Sequence, residues 1–240
     1  MDRQQQLRDG VRGAYSAVAE QPAGEHPFAV GQRFAEGLGY PRELLERLPR
    51  VSVEAFTGVS NVSLFADLPP GAQVLDLGCG AGLDSLIAAQ RVGPWGAVLG
   101  VDFSPAMLAR ARQAALEAGA DHTPLSAQSA STPLSAHSRE KPRTRAGRPT
   151  TGQGYYHEPP GADSASTRFC QAEAENLPLA SASIDVALVN GIFNLNPARG
   201  AIFDELRRVV KPGGAVYAAE LIRREPALPG EETSLDDWFA

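Results

Sequence analysis

A glycine-rich turn is the first feature of the sequence that indicates ligand binding. Gly78-Cys79-Gly80-Ala81-Gly82 follows a short apolar run and precedes a stretch with helical periodicity. Glycines let a ligand approach the backbone closely, and the first turn of a helix offers unpaired N–H donors and the positive end of its dipole. The turn therefore predicts a ligand site, although a tight strand-to-helix turn also needs glycine for packing alone.

An acidic residue, Asp102, stands 20 residues after Gly82, where the next apolar run ends. An acid at about this distance is typical of nucleotide-binding βα units. Its two carboxylate oxygens can accept hydrogen bonds from both hydroxyls of a ribose. We therefore expect a nucleoside-bearing ligand. A helix cap or a solvated turn is the alternative role for Asp102, and a dehydrogenase is the alternative class of protein.

Alternating strands and helices are predicted to position this turn. The apolar runs predict strands over residues 74–77, 97–101, 169–170, 184–189 and 215–221, and helices over 83–92, 105–119 and 201–210. In the last helix, Phe203 is expected to point inward with the other apolar residues. Strand, glycine turn, helix and strand form a βαβ unit with a parallel pair. The pattern predicts an α/β protein with a doubly wound sheet, and a ligand at the carboxyl ends of its strands.

Two segments depart from this alternation. Residues 1–65 contain a short helix at 11–19 and discontinuous apolar stripes, which predict a helical N-terminal cap over the sheet domain of residues 66–240. Residues 120–167 hold the tandem repeat HTPLSAQSA-STPLSAHSR and a stretch rich in proline and basic residues. We interpret them as a disordered insertion.

Four motifs resemble those of the class I S-adenosylmethionine-dependent methyltransferases: VLDLGCGAG (74–82), GVDFS (100–104), AEAENLPL (172–179) and VKPGG (210–214). The resemblance implies a Rossmann-like sheet and S-adenosylmethionine as cofactor. It implies the glycine turn beside the methionine part, Asp102 at the ribose, Phe103 near the adenine, and Glu173 with the Ala174 backbone at the adenine edge. The predicted cofactor-binding residues are Asp76, Gly78, Cys79, Gly80, Gly82, Asp102, Phe103, Met107, Glu173, Ala174 and Asn190.

The flanking sequences, among them PFAVGQRFAEGLGYPRELLERLP and NGIFNLNPARGAIFDELRRVVKPGG, are similar to the arsenite methyltransferase family. That family is understood to hold trivalent arsenic through cysteine thiolates, because a soft centre prefers sulfur ligands. The two cysteines of this sequence, Cys79 and Cys170, do not match those positions, and we interpret them as packing residues. Arsenite is therefore only one candidate for the small-molecule methyl acceptor.

A catalytic base is not evident. His122, His137 and His157 lie in the predicted insertion, and His26 lies in a turn. This pattern favours an acceptor with its own lone pair, such as a metalloid, a thiolate or an electron-rich carbon. Asn190 and Asn194 follow a predicted strand, where they could reach the substrate or the methionine carboxylate, or form the turn. The candidate lining from the cap is Tyr15, Phe28 and Phe56.

Composition limits the remaining possibilities. The net charge of −6 argues against a surface that binds nucleic acid, and no apolar stretch is long enough to span a membrane. Few cysteines and no metal-ligand spacing favour a cytoplasmic protein without a metal. The sheet is expected to lack the C-terminal hairpin of the class, so a truncated or degenerate relative without activity stays open. A nucleic-acid methyltransferase is a more distant alternative, and the oligomeric state is open.

Overall fold

A computed structural model describes residues 3–119 and 165–222. Five helices precede the first strand, and strands and helices alternate after it except between the third and fourth strands, which no helix separates. The elements are α1 (Arg3–Glu20), α2 (Gln32–Gly37), α3 (Arg42–Leu45), α4 (Arg50–Val53), α5 (Val62–Phe65), β1 (Gln73–Leu77), α6 (Leu83–Val92), β2 (Ala97–Asp102), α7 (Pro105–Glu117), β3 (Ser166–Gln171), β4 (Ile184–Asn190), α8 (Arg199–Val209) and β5 (Val210–Ala219).

The five strands form one parallel sheet in the order β3-β2-β1-β4-β5. The first strand of the chain therefore lies in the middle, and the strand order reverses beside it. This architecture confirms the predicted α/β doubly wound sheet. The central strands are almost wholly apolar because helices cover both faces, which is typical of parallel sheets.

Alternate residues of each strand belong to two different cores. Leu75 and Leu77 of β1 pack in one cluster with Ile202 and Leu206 of α8. Their neighbour Val74 packs on the other face, in a cluster that includes residues of α5 and α6. Because successive side chains of a strand point to opposite faces, this is the arrangement expected of a buried strand.

The helices before β1 pack on the outer side of α6 and α7. Tyr40, Leu44 and Leu45 share a buried cluster with Leu86 and Leu108. A cap of helices was expected here, and its first helix is longer than the predicted 11–19. The position of the boundary between residues 65 and 66 stays a prediction.

The structure corrects four details. Strand β3 begins at Ser166, and Thr167 is fully buried and pairs with Val98, so these two residues do not belong to the predicted insertion. Phe203 does not point inward: it is 56% exposed, and its ring stacks on Phe193 at 4.7 Å between ring centres.

Further along the chain, α8 begins two residues earlier than predicted, at Arg199, and β5 begins at Val210, so that VKPGG belongs to the strand. A register irregularity between Ile184 and Val186 of β4 accommodates this stretch. Ala165, also within the predicted insertion, is fully buried. Residues 120–164, and the residues on which the expected loss of the hairpin depends, lie outside the described part of the chain.

Candidate functional site

The glycine turn connects β1 to α6 at the carboxyl edge of the sheet. Gly78, Gly80 and Gly82 all have positive φ angles, of 76°, 52° and 84°. A Cβ atom at Gly78 would collide with the side chain of Ile192, whereas one at Gly80 would meet nothing within 4 Å. Gly78 is therefore required for close packing, and Gly80 faces open space where a ligand can approach the backbone.

Asp102 ends β2 beside this turn and connects it to the next helix. Its Oδ2 accepts a hydrogen bond from the Gly80 N–H at 2.9 Å, and its Oδ1 accepts one from the Ser104 N–H at 2.8 Å. Ser104 in turn caps α7, as its Oγ accepts from the Met107 N–H. Asp102 thus stabilises the turns on either side of it and also lines the cleft, so the two roles expected from the sequence, in a turn and at a ligand, are compatible. Burial raises the pKa of Asp102 to about 6.

Two further buried carboxylates, Asp76 and Asp84, lie under the turn. The Ser85 hydroxyl donates to Asp76 Oδ2 at 2.5 Å. Asp84 accepts hydrogen bonds from the hydroxyls of Tyr40, at 2.6 Å, and Ser63. Burial raises the pKa of both carboxyl groups, that of Asp76 to about 8 with a further contribution from Asp84.

Asn190, the last residue of β4, joins this acidic pair to the N-terminal segment. Its Oδ1 accepts from the N–H groups of Val59 and Ser60, at 2.9 and 3.1 Å. Its Nδ2 donates to the Ser60 carbonyl at 2.8 Å and to Asp84 Oδ2 at 2.9 Å. The amide thus uses its full hydrogen-bonding capacity within the protein. Asn194 does not line the cleft, and its side chain donates to the Leu221 carbonyl.

Helix α1 lies over the opposite end of the site. The Arg12 Nη2 contacts Glu173 Oε1 at 2.9 Å, and the Arg12 guanidinium lies 5.5 Å from the centre of the Phe103 ring. One turn earlier, Arg8 pairs with Glu175 at 2.5 Å. The helix therefore reaches two of the residues that the motifs place at the adenine.

These elements enclose one cleft at the carboxyl edge of the sheet. It brings together nine of the predicted residues: Asp76, Gly78, Cys79, Gly80, Asp102, Phe103, Glu173, Ala174 and Asn190. Gly82 and Met107 do not line it. Gly82 begins α6 and packs near Ala111 and Phe169, and Met107 is fully buried beside α1.

The lining also contains residues that the sequence did not single out. Arg8, Arg12 and Asp84 are the charged ones, and Val11, Ile192 and Leu195 are apolar. Of the candidate lining from the cap, Tyr15 and Phe56 reach the cleft, whereas Phe28 does not and packs on Tyr15 at 5.0 Å between ring centres. Asp84 lies in the first turn of a predicted helix, where acidic residues are common, so its position in the sequence did not indicate a role in the site.

The thiols contribute little to the site. Cys79 lines the cleft but is buried, and burial raises the pKa of its thiol well above the usual value. Cys170 is fully buried in the core on the side of α8. Within residues 3–119 and 165–222, no group of three or more His, Cys, Asp or Glu side chains is arranged to hold a metal ion, and no helix is long and apolar enough to cross a membrane.

Comparison with known families agrees with this geometry. Two families, both described as a methyltransferase domain, match residues 68–139 and 149–218, which together are more than half of the chain. The chain belongs to the class I S-adenosylmethionine-dependent methyltransferases. Within that class it is similar to the arsenite methyltransferases.

Individual relatives share part of this chain. An arsenite methyltransferase of Halobacterium salinarum is 30% identical over 169 residues, 70% of this chain and 32% of the relative. A demethylmenaquinone methyltransferase of Desulfitobacterium hafniense is 28% identical over 67% of this chain and 46% of the relative. The chain thus spans about a third to a half of the length of these relatives.

The crystal structure of the cyclase SpnF has a similar fold. It superposes with a TM-score of 0.52 at 19% identity, over 92% of this chain and 62% of that one. This likeness shows the fold alone. Because a protein named for a cyclisation has this fold, the reaction must be argued from the site.

Proposed function

We propose that this chain binds S-adenosylmethionine in the cleft and transfers its methyl group to a small molecule. The observation that carries the proposal is the double contact of Asp102 with the Gly80 and Ser104 N–H groups. It holds a carboxylate and an open glycine backbone side by side at the carboxyl edge of a parallel sheet. That is where α/β proteins bind nucleoside-bearing ligands.

The charges of the cleft fit this cofactor. Asp76, Asp84, Asp102 and Glu173 line it against two arginines, Arg8 and Arg12, so acidic groups outnumber basic ones in the lining. The cofactor carries a positive sulfonium and a positive ammonium. Buried carboxylates stabilise such cations strongly because water does not screen them.

Different residues of the cleft bind different parts of the cofactor. Gly80 leaves room against the backbone for the methionine part. Asp102 accepts hydrogen bonds from the ribose hydroxyls, and Glu173 accepts one from the amine of adenine. The cofactor, when bound, supplies a methyl group bonded to a sulfonium leaving group. The acceptor's lone pair forms the new bond to carbon while the bond from carbon to sulfur breaks.

The chain's main contribution to the reaction is to align the acceptor with the methyl group of the cofactor in a site that excludes water. The only histidine of the described part, His26, bonds the Gln21 carbonyl and does not line the cleft. We propose no catalytic base, and this favours an acceptor that reacts through its own lone pair.

The acceptor itself is the finer proposal. Similarity to arsenite methyltransferases suggests arsenite, and Cys79 is the one thiol among the residues that line the cleft. The apolar walls formed by Phe56, Ile192 and Leu195 favour an organic acceptor, for which the demethylmenaquinone methyltransferase is the precedent. We propose both as the first acceptors to test.

Calorimetry with S-adenosylmethionine tests the binding step. We expect binding by the unmodified chain and a loss of about 100-fold in affinity for Asp102→Ala, because two backbone N–H groups and two ribose hydroxyls lose their acceptor. Asp67→Ala, a change of the same kind at an acid that does not line the cleft, is the control and should bind normally. Equal affinities for all three proteins would contradict the proposal.

Mass spectrometry of the products then tests the transfer. Arsenite with a thiol and a demethylated quinone are offered separately with the cofactor. Binding without transfer to either acceptor would support the alternative of a relative that only binds the cofactor. Loss of affinity for RNA as salt rises would instead point to a nucleic-acid substrate.

A further inference from the structure

Helix α1 contributes a side chain to the cleft that the family motifs do not include. Arg12 lines the cleft 161 residues away in sequence from its partner Glu173. Its guanidinium makes an ion pair with that carboxylate and lies over the ring of Phe103. One side chain therefore holds two residues that belong to different motifs.

A buried donor of the same side chain has no acceptor. Arg12 Nε is shielded from solvent, and none of the described residues accepts a hydrogen bond from it. Leaving a buried donor unpaired costs about 1–3 kcal/mol, so native proteins rarely do so without a reason. Because Nε is shielded in this structure, an acceptor from a ligand in the cleft would reach it only when the Arg12 side chain shifts, and that contact would remove the cost.

The attachment of α1 is uneven along its length. At its C-terminal end, Arg110 donates to the Ala19 carbonyl and pairs with Glu54 at 2.9 Å, and Val18 and Ala19 are buried beside Met107. Over the cleft, the helix is held by the buried side chains of Leu7 and Val11 and by the partly exposed ion pairs of its arginines, and Gly13 lies in this part. Glycine inside a helix costs about 1 kcal/mol relative to alanine.

We infer that Arg12 is a cofactor-binding residue, which donates from Nε to the adenosine part of the ligand and couples a shift of α1 to binding. The inference rests on the proposed function and adds a residue to its site. The guanidinium then has three tasks: it orients Glu173, covers Phe103 and bonds the ligand.

Calorimetry of arginine variants with S-adenosylmethionine tests the assignment. We expect Arg12→Gln to weaken binding about 10-fold, since it loses a half-exposed ion pair, a cation–π contact and a buried hydrogen bond. Arg12→Lys keeps the charge but lacks Nε, so it should recover only part of the affinity. Full recovery with lysine would overturn the role of Nε.

A double-mutant cycle separates binding from mere folding. In the background of Glu173→Gln, the change at Arg12 should cost less than it does alone, because the ion pair is already absent. Arg42→Gln is the matched control: Arg42 also pairs with a glutamate, Glu46, but far from the cleft and largely exposed. It should leave the affinity unchanged.

A second variant acts in the opposite direction. A Cβ at Gly13 would meet nothing within 4 Å, so Gly13→Ala stabilises the helix without a new contact. We expect about two- to threefold tighter binding and slower hydrogen exchange in α1. Binding by the unmodified chain with equal affinity for all Arg12 variants would overturn this inference alone. No binding by the unmodified chain would overturn the proposed function as well.

Discussion

The two ends of the cleft are built by different means. At one end, Asp76, Asp84 and Asn190 are tied to the sheet by hydrogen bonds between buried or half-buried groups. At the other end, Arg8 and Arg12 of α1 form partly exposed ion pairs with Glu175 and Glu173. The first end is preorganised, and the second can adjust to a ligand. This division suits a site that must hold the reacting part of a cofactor rigidly and still admit it.

Among the substitutions, we expect the change at Asn190 to lower the free energy of unfolding most, because it removes the hydrogen bonds of the buried end of the cleft. Asn190→Ala removes four hydrogen bonds, and Asp84 Oδ2 and two backbone N–H groups lose their Asn190 partner. We expect a loss of about 2–4 kcal/mol in the free energy of unfolding. Denaturant titration measures it.

Asn194→Ala is the matched control, four residues further along the chain. Its side chain donates to one exposed carbonyl, so the loss should stay below about 1 kcal/mol. Equal losses for the two variants would show that the buried network contributes no more than a surface contact.

The pH dependence of stability is expected to show the next largest effect. Burial raises the pKa of Asp76 to about 8, whereas in the unfolded chain it is near 4. The folded state therefore favours the protonated form, and this contribution is complete below pH 4 and is lost as the pH rises through 8.

We expect the cofactor-free protein to lose about 1–3 kcal/mol of stability between pH 5 and pH 9 through this group. Asp76→Asn should remove much of that slope and raise the melting temperature at pH 9. Thermal denaturation across the pH range measures both. An unchanged slope in the variant would mean that Asp76 is already ionised in the folded protein.

The smallest expected effect concerns the adjustable end. Arg8→Gln removes the ion pair with Glu175, in which the arginine side chain is 33% exposed. Such pairs contribute about 0.2–1 kcal/mol and are screened by salt. Hydrogen exchange of α1 should therefore rise with salt concentration in the unmodified chain and less so in the variant. A loss above 2 kcal/mol would show that this end is as rigid as the other.

Much of the sheet could be predicted because burial on both faces leaves continuous apolar runs. The first, second and fourth strands were predicted within one residue of their observed bounds. The fifth was misplaced at its start because VKPGG reads as a break, while the local irregularity of β4 lets the strand include it. Phe203 fits the helical period but lies at the exposed margin of α8.

The lining of the cleft was predicted as far as its residues lie within contiguous motifs. Gly80, Asp102 and Glu173 have characteristic neighbours in the sequence and meet in the cleft. Arg12 and Asp84 have no such signal, because their roles depend on how α1 is rotated and on which side chains α6 meets. A single sequence gives no signal for side-chain contacts between residues that lie more than a hundred positions apart, such as Arg12 with Glu173 and Asp84 with Asn190.

The hydrogen bonds of Asn190 and Asp84 also decide whether the helices before β1 can be separated from the sheet. Tyr40, Val59, Ser60 and Ser63 supply their partners, and all four precede the boundary suggested at residues 65 and 66. A cut there would leave the buried carboxyl group of Asp84 without the Tyr40 and Ser63 donors. The helices before β1 and the sheet are thus one cooperative unit, and a module for transplantation or fusion would have to include both.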